Sequence, residues 1–546
     1  MVHIAVPLQE RTIGQVVTRQ AELMGDKVFL TFTPDGRTFT YRQLDLLSNR
    51  LANGLMAHGV EQGAHVAVMM ENSPEQLLLF LALGKVGAVV VPINTAARGA
   101  QLRHLVELSD ASFLVVDASL QESNIADGQP PPPAVKCIVI AGEDPTAPGK
   151  AIPGVNRVPF ADLEQHSDAP IAVRARFRDL AFLSYTSGTT GPSKLNMFPH
   201  AHCLGYAANN AQEHDYRPED IAYVCLPMFH VSALFGVTLA AMLAGSSIVM
   251  TRRFSMSRFW SDIRDYKITL VNALGAMSDF IMNQPPSPED RTHSVRLCRM
   301  VPVPRYGSEF EARFGVKLVS GYGLSDFGQI TAFTAQDPRD KLGSAGRPRR
   351  GIEMRIVDDD DLDVPAGEPG EIIVRSNNMW NTSLGYYKMP EATLAALGNL
   401  WFHTGDRGRL DADGYLYFVG RKKDAIRRRG ENISCVEVEQ VIAKHPAVGE
   451  VAVYPVQAEM SEEEVAASIV AKPGHTVTEL EIVEYCRQNM AYYMVPRFIR
   501  LVDDLPRTLS HRVQKFLLVE QAQRDLSSLF DREAAGIVLR RESARV

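Results

Sequence analysis

"YRQLDLLSNRLANGLMAHGV", residues 41 to 60, sets apolar side chains at helical spacing and ends on valine after a glycine; the next ten residues, "EQGAHVAVMM", read as a turn and a strand. The alternation then repeats in a more apolar form. Ser73 and Pro74 open "SPEQLLLFLALGKVG" as a helix start, and the chain passes at once into "AVVVPI", residues 88 to 93, a β-branched run suited to a strand buried on both faces. Helix and strand alternating in this way is the pattern of a doubly wound α/β sheet, which is the expected fold class for the large N-terminal part of the chain.

Outward from that stretch, size and composition set the bounds. With 546 residues, 45% hydrophobic and 22% charged, the chain can bury large cores and should divide into roughly three lobes. Its formal net charge is -7 and acids and bases are interspersed, so there is no basic stripe for nucleic acid or an anionic membrane. Small-molecule or protein partners are expected instead. Six cysteines, at 137, 203, 225, 298, 435 and 486, are scattered without metal-site or disulfide-framework spacing and read as reduced, buried thiols. "MVHIAVPLQERTIG" lacks a signal-peptide core, which makes the cytoplasm the expected location.

"VSALFGVTLAAMLAGSSIVM" (231 to 250) is uncharged and long enough for a membrane span. Gly245, Ser246 and Ser247 punctuate it and no basic flank marks a topology, so a buried helix followed by a strand is expected. "GQPPPPAV" (128 to 135) reads as an exposed loop, and "VDDDDLDVPAGEPGEIIVR" (357 to 375) as strand, acidic turn and strand. After "WFHTGD" the texture changes to short glycine-punctuated strands, a basic run and the Ser-capped helix "SCVEVEQVIAKHP". A boundary near Gly420 and Arg421 gives an N-terminal domain of residues 1 to 420 and leaves 421 to 546 as an independent C-terminal domain.

"LSYTSGTTGPSK" (183 to 194) follows an apolar strand and packs Thr186, Ser187, Gly188, Thr189, Thr190, Gly191 and Lys194 into nine positions. Glycines free backbone N–H groups to surround an oxyanion, hydroxyls add donors and lysine a point charge, a combination suited to polyphosphate. The spacing is not that of a P-loop NTPase. A flexible Ser/Thr/Gly linker is the alternative, although a linker seldom follows a buried strand and ends in lysine.

These residues resemble the phosphate-binding signature of the adenylate-forming superfamily, which includes acyl-CoA synthetases. "LPMFHVSALFG" (226 to 236), "GYGLSD" (321 to 326), "GSAGRP" (343 to 348), "GYYKMPEAT" (385 to 393), "WFHTGD" (401 to 406) and "GRKKDAIRRRGENIS" (420 to 434) resemble the other family motifs in order. The resemblance spans nearly the whole chain and in texture is nearest to carnitine-CoA ligase-like members. It implies an N-terminal domain of doubly wound sheets plus a small β-barrel-like region, and a smaller, mobile α+β C-terminal domain. It also implies an ATP- and Mg2+-dependent acid:CoA ligase. A carboxylate attacks the α-phosphate of ATP, releasing pyrophosphate, and the CoA thiol then displaces AMP, with the C-terminal domain turning between steps.

Carried onto this chain, the resemblance assigns Thr186 to Gly191 and Lys194 to the phosphates and Tyr322, between Gly321 and Gly323, to adenine. Asp406 and Arg421 fall to the ribose, His230 to the boundary between acyl pocket and thiol channel, Lys423 to the hinge and Gly430 to the pantetheine passage. The run Arg427 to Arg429 reads either as a contact for the CoA 3'-phosphate or as a solvated basic face. Asp326 stands where the family has a magnesium-binding glutamate, one methylene longer. The adenine-side loop reads "RMVPVP" (299 to 304), so its contacts do not transfer. In "LPRTLSHRVQK" (505 to 515) the family's Gly-Lys pair is His511-Arg512. Arg512 keeps the charge that bridges carboxylate and α-phosphate, but on a wider, planar fork. Lys515 is not expected to replace it.

Two further readings stay open at this stage: the same fold with a non-CoA acceptor or competent only in the thioester step, and a catalytically silent nucleotide- or acyl-CoA-binding protein. "VNALGAMSDFIMN" (271 to 283) and "FHVSALFG" are expected to line the acyl pocket; their small apolar residues point to an uncharged carbon skeleton, and a carnitine substrate does not follow from the likeness. A homodimer is expected only from the commonness of two-fold assemblies.

Overall fold

The computed structural model describes the chain except residues 1–5, 121–131, 133, 143–154, 173, 187–193, 422–424, 429–430, 458–462, 507–512 and 540–546. Most of the proline run at 128 to 135 therefore lies outside the described residues.

Two seven-stranded sheets carry the large N-terminal part. The first runs, in spatial order, Asn156–Pro159, Cys137–Ala141, Phe113–Asp117, His65–Met69, Val89–Pro92, Leu180–Thr186 and Lys194–Pro199. Its neighbours are parallel except the last pair, which is antiparallel. The second runs Lys317–Val319, Leu297–Val301, Leu270–Leu274, Ile221–Val224, Ser247–Met250, Val28–Phe32 and Thr38–Thr40, again parallel up to an antiparallel last pair.

The stretch from 41 to 93 forms the helix Tyr41–Ala57, the strand His65–Met69, the helix Pro74–Val86 and the strand Val89–Pro92. Helix Pro74–Val86 begins where the Ser73 hydroxyl accepts the Gln76 N–H at 3.1 Å and stops at Gly87, whose φ of +80° suits glycine. All its residues but Glu75 are buried, its large apolar side chains in the main core, which follows from its apolar circumference. Its buried charge, Lys85, donates to Asp45 Oδ1 and Asn49 Oδ1, each at 2.6 Å, so the buried ammonium is matched. Each large apolar side chain buried here contributes about 1.5–3 kcal/mol.

Residues 231 to 250 form a continuous helical run, π-helical at Leu234–Leu239, then the strand Ser247–Met250 in the core. Among the described residues no helix is long and apolar enough to cross a membrane.

A four-stranded antiparallel sheet follows, Ile352–Val357, Gly370–Ser376, Phe402–Leu410 and Leu416–Arg421, with a separate apolar core around Ile356, Ile372, Val374 and Leu416. It supplies the expected small β region, and the acidic turn joins its first two strands. The smaller C-terminal domain packs the helices Cys435–Ile442, Glu479–Asn489 and Lys515–Arg524 with a sheet of Val448–Gln457, Glu463–Ala471, Phe498–Leu501 and Phe530–Asp531. Ser434 caps the first helix, its hydroxyl accepting the Glu437 N–H. This domain rests on residues 94 to 101. Ala96 joins its apolar core, and Gln101 Oε1 accepts the Ala491 N–H at 3.3 Å.

Candidate active site

Tyr322 is placed by close backbone approach. Its carbonyl accepts the N–H groups of Ile330 and Thr331, at 2.9 and 3.0 Å, and its own N–H donates to Thr331 Oγ1. A Cβ at Gly321 would lie 2.6 Å from the Thr331 carbonyl oxygen, and one at Gly323 would lie 2.6 Å from that of Gly328. Both flanking positions therefore exclude any side chain. The Tyr322 hydroxyl donates to Asp406 Oδ2 at 2.8 Å, joining two motifs 84 residues apart. Asp406 lies opposite Arg421 in the register of the antiparallel pair Phe402–Leu410 and Leu416–Arg421. An aromatic face held beside a carboxylate suits a nucleoside, with the base against the ring and the ribose hydroxyls donating to the carboxylate.

Lys194 begins the strand that follows the glycine-rich stretch and is the register partner of Thr186. Its ammonium sits 4.4 Å from the ring centroid of Tyr386, a cation–π distance. The Tyr386 hydroxyl is hydrogen-bonded to Asp326, and burial first, then that carboxylate, push its ionisation far above the ordinary tyrosine range. Tyr386 thus stays a neutral link between the lysine and the aspartate. Asn196 ties the same segments together: its amide donates to the Ser325 carbonyl, its Oδ1 accepts from Ser383, and its backbone bridges Tyr386.

His230 caps the helical run at Val231 and lies 3.3 Å, through Nε2, from Glu431 Oε1 of the C-terminal domain. Asn94 donates to Glu431 Oε1 at 3.4 Å and to the Tyr493 hydroxyl at 3.0 Å.

The structure therefore brings Gly321, Tyr322, Gly323 and Asp406 into one group, Lys194 and Asp326 into a second, and His230 beside the residue after Gly430. Ser187, Gly188, Thr189, Thr190, Gly191, Lys423, Gly430 and Arg512 lie outside the described residues. Of Thr186 and Arg421 the backbone is described, each at the end of a strand.

Arg428 fits neither alternative for the basic run, being neither on a solvated face nor open to a phosphate, whereas Arg427 is exposed. It is buried, 2.5 Å from Glu464 and 3.6 Å from Glu533, and donates to the Tyr493 carbonyl. Lys515 is paired with Glu439 at 2.8 Å, in keeping with its exclusion as a stand-in for Arg512. Sequence reasoning missed Tyr386, Asn196 and Glu431 as parts of these groups. Tyr386 and Glu431 stood inside quoted motifs, whereas nothing local marks Asn196.

A family model described as AMP-binding enzyme matches residues 17–387, and one described as AMP-binding enzyme C-terminal domain matches 437–512. A crotonobetaine/carnitine–CoA ligase of Salmonella paratyphi A is 32% identical over 508 residues, spanning 91% of this chain and 96% of that protein. A double mutant of o-succinylbenzoate CoA synthetase from Bacillus subtilis, bound with its product analogue, superimposes with a TM-score of 0.79 at 26% identity, covering 92% of this chain and 98% of that one. The Bacillus subtilis enzyme in complex with AMP gives 0.65, also at 26% identity, covering 92% and 97%.

Proposed function

The chain belongs to the AMP-binding enzyme family, and on that premise we propose how its residues share the work. It is an AMP-forming acid–CoA ligase. A carboxylate oxygen attacks the α-phosphorus of ATP, the bond to the bridging oxygen breaks and pyrophosphate leaves. The CoA sulfur then attacks the acyl carbon, losing its proton, and the carbon–oxygen bond to AMP breaks. Activation is needed because a carboxylate's delocalised charge repels nucleophiles, whereas AMP is a good leaving group.

The single observation carrying the assignment of roles is the Tyr322–Asp406 hydrogen bond between glycine-framed and strand-borne motifs. We assign Tyr322 to adenine, with Gly321 and Gly323 keeping the backbone open. Asp406 and Arg421 take the ribose. Thr186, Ser187, Gly188, Thr189, Thr190, Gly191 and Lys194 take the phosphates, and Arg512 bridges carboxylate and α-phosphate. A single carboxylate backed by a neutral tyrosine fits Mg2+, which takes one or two carboxylates and completes its shell with phosphates and water. Asp326 would hold the ion, which supplies charge neutralisation on the phosphates when bound.

His230 and Glu431 fall to the second step. The closer likeness to a product-analogue complex than to an AMP complex supports reading this domain arrangement as the thioester-forming one. We put the domain junction near Gly420 and Arg421, with Lys423 as hinge and Gly430 beside the pantetheine passage. Six buried cysteines that form no disulfide support a reducing compartment, the cytoplasm. A homodimer rests on general frequency alone. The test is release of AMP and pyrophosphate from ATP, Mg2+, CoA and a broad acid panel; release of neither product from any acid overturns the reading.

A further inference from the structure

Asn272 and Arg299 are register partners on adjacent parallel strands, so their side chains stand on one face of the second sheet. Along those strands the same face carries Leu270, Leu274, Leu297 and Val301. A guanidinium among such neighbours is costly unless its charge is met. One terminal nitrogen of Arg299 donates to Asn272 Oδ1 at 3.2 Å and to Ser232 Oγ at 3.4 Å, both neutral acceptors. Its Nε is buried and makes no hydrogen bond within the described residues.

The surroundings add positive charge. Arg349, buried, pairs with Glu213 at 2.5 Å, and its other terminal nitrogen is also buried without a hydrogen-bond partner among the described residues. Glu213 feels both arginines but is already committed to Arg349. Buried His214 beside them is held neutral, its pKa driven well below the usual range by burial and then by Arg299 and Arg349. Two guanidiniums against one carboxylate leave one positive charge facing neutral oxygens.

Both acceptors of Arg299 belong to segments assigned to the acyl pocket, and Ser232 is two residues beyond His230. We propose that Arg299 binds a second carboxylate, at the end of the acid remote from the group that is activated, so that the substrates are dicarboxylic acids. The inference rests on the ligase reading. A planar guanidinium whose Nε makes no hydrogen bond among the described residues matches a carboxylate in geometry as well as charge. The expectation of an uncharged skeleton came from small apolar residues at 231 to 236 and 271 to 283; the arginine stands on the next strand, outside both. The same charge repels a trimethylammonium group, which separates this chain from relatives named for carnitine.

The experiment compares butyrate with succinate, pentanoate with glutarate, and carnitine, scoring pyrophosphate release by the full chain with ATP, Mg2+ and CoA. Each diacid should exceed its matched monoacid by roughly tenfold or more in kcat/KM. Arg299→Gln should erase that preference through KM for the diacid while changing monoacid turnover less than about threefold, and Arg299→Lys should restore part of it. Binding of the matching acyl-sulfamoyl adenosine analogues to the unaltered protein should show the same order without catalysis. Preference for monoacids or carnitine, or an unchanged ratio in Arg299→Gln, overturns the proposal and leaves the ligase reading intact. If no acid releases pyrophosphate and no analogue binds, both fall together.

Discussion

His230 Nε2 lies 3.3 Å from Oε1 of Glu431, and the two residues belong to different domains. In the arrangement proposed for thioester formation this contact holds the imidazole aside and fixes the C-terminal domain. Glu431→Ala should slow CoA-dependent consumption of preformed acyl-AMP by about tenfold, equivalent to ~1.4 kcal/mol of barrier, and leave ATP–pyrophosphate exchange nearly unchanged. Rapid-quench measurement of both steps decides the matter; equal slowing removes Glu431 from the second step.

Tyr322→Phe keeps the ring and removes the hydrogen bond to Asp406, whereas Asp406→Ala removes the acceptor for both tyrosine and ribose. The second change should weaken ATP binding more, by roughly 1.5–3 kcal/mol, as for hydrogen bonds to charged groups. Calorimetric titration with a non-hydrolysable ATP analogue gives both values, and a larger loss in Tyr322→Phe would contradict the assignment.

Gly323→Ala tests whether the tyrosine is placed by backbone proximity. The added Cβ would lie 2.6 Å from the Gly328 carbonyl oxygen and 2.8 Å from the Gln329 Cα, so the hairpin must open. Overpacking of this kind costs about 1–3 kcal/mol, and thermal unfolding should register it along with a raised KM for ATP. A variant with unaltered Tm and KM would show that the hairpin accommodates a methyl group.

Arg512→Ala should slow acyl-AMP formation at least about tenfold more than thioester formation, the loss expected when a charge-assisted contact made in one transition state is removed. Arg512→Lys should retain part of the rate because charge is kept. Single-turnover assays of each half-reaction separate the two, and equal effects would take Arg512 out of adenylation.

Burial pushes the Asp117 carboxyl up to about 7 against the pull of the Glu71 N–H, which donates to it at 2.7 Å. An unfolded aspartate titrates near ~3.9, so the folded chain holds this proton more tightly. The resulting stabilisation is full below the unfolded pKa and is lost as pH rises through the folded one. Asp117→Asn should therefore lose less stability than the unaltered chain between pH 5 and 8, by on the order of 2–3 kcal/mol. Parallel thermal melts at the two pH values check it, and identical losses would exonerate Asp117.

The sheets were legible because the buried runs at 77 to 93 and the helical spacing at 41 to 60 are local signals, and local signals survive in a linear reading. Tyr322, Asp406 and His230 were legible as family motifs, but their partners were not. Whether a tyrosine at 386 meets an aspartate at 326, or an arginine at 428 meets glutamates at 464 and 533, depends on contacts between distant segments. The basic run at 427 to 429 shows the cost of ignoring this. Charge alone suggests solvent, while the partners that bury Arg428 come from elsewhere in the domain. Arg299 escaped for the same reason, since its meaning lies in its neighbours Asn272, Ser232 and Glu213.

The buried pairing of Arg428 with Glu464 and Glu533 has a consequence for ionic strength. Counterions screen charges that water can reach, and the Arg428–Glu464 pair, 3% and 6% exposed, is closed to them, whereas the His230–Glu431 contact is partly open, with 43% and 22% of the two side chains exposed. Added salt should thus leave the Arg428–Glu464 pair intact and weaken the His230–Glu431 contact under conditions where the imidazole is protonated. Salt then acts on the seam between the two bodies rather than inside either of them.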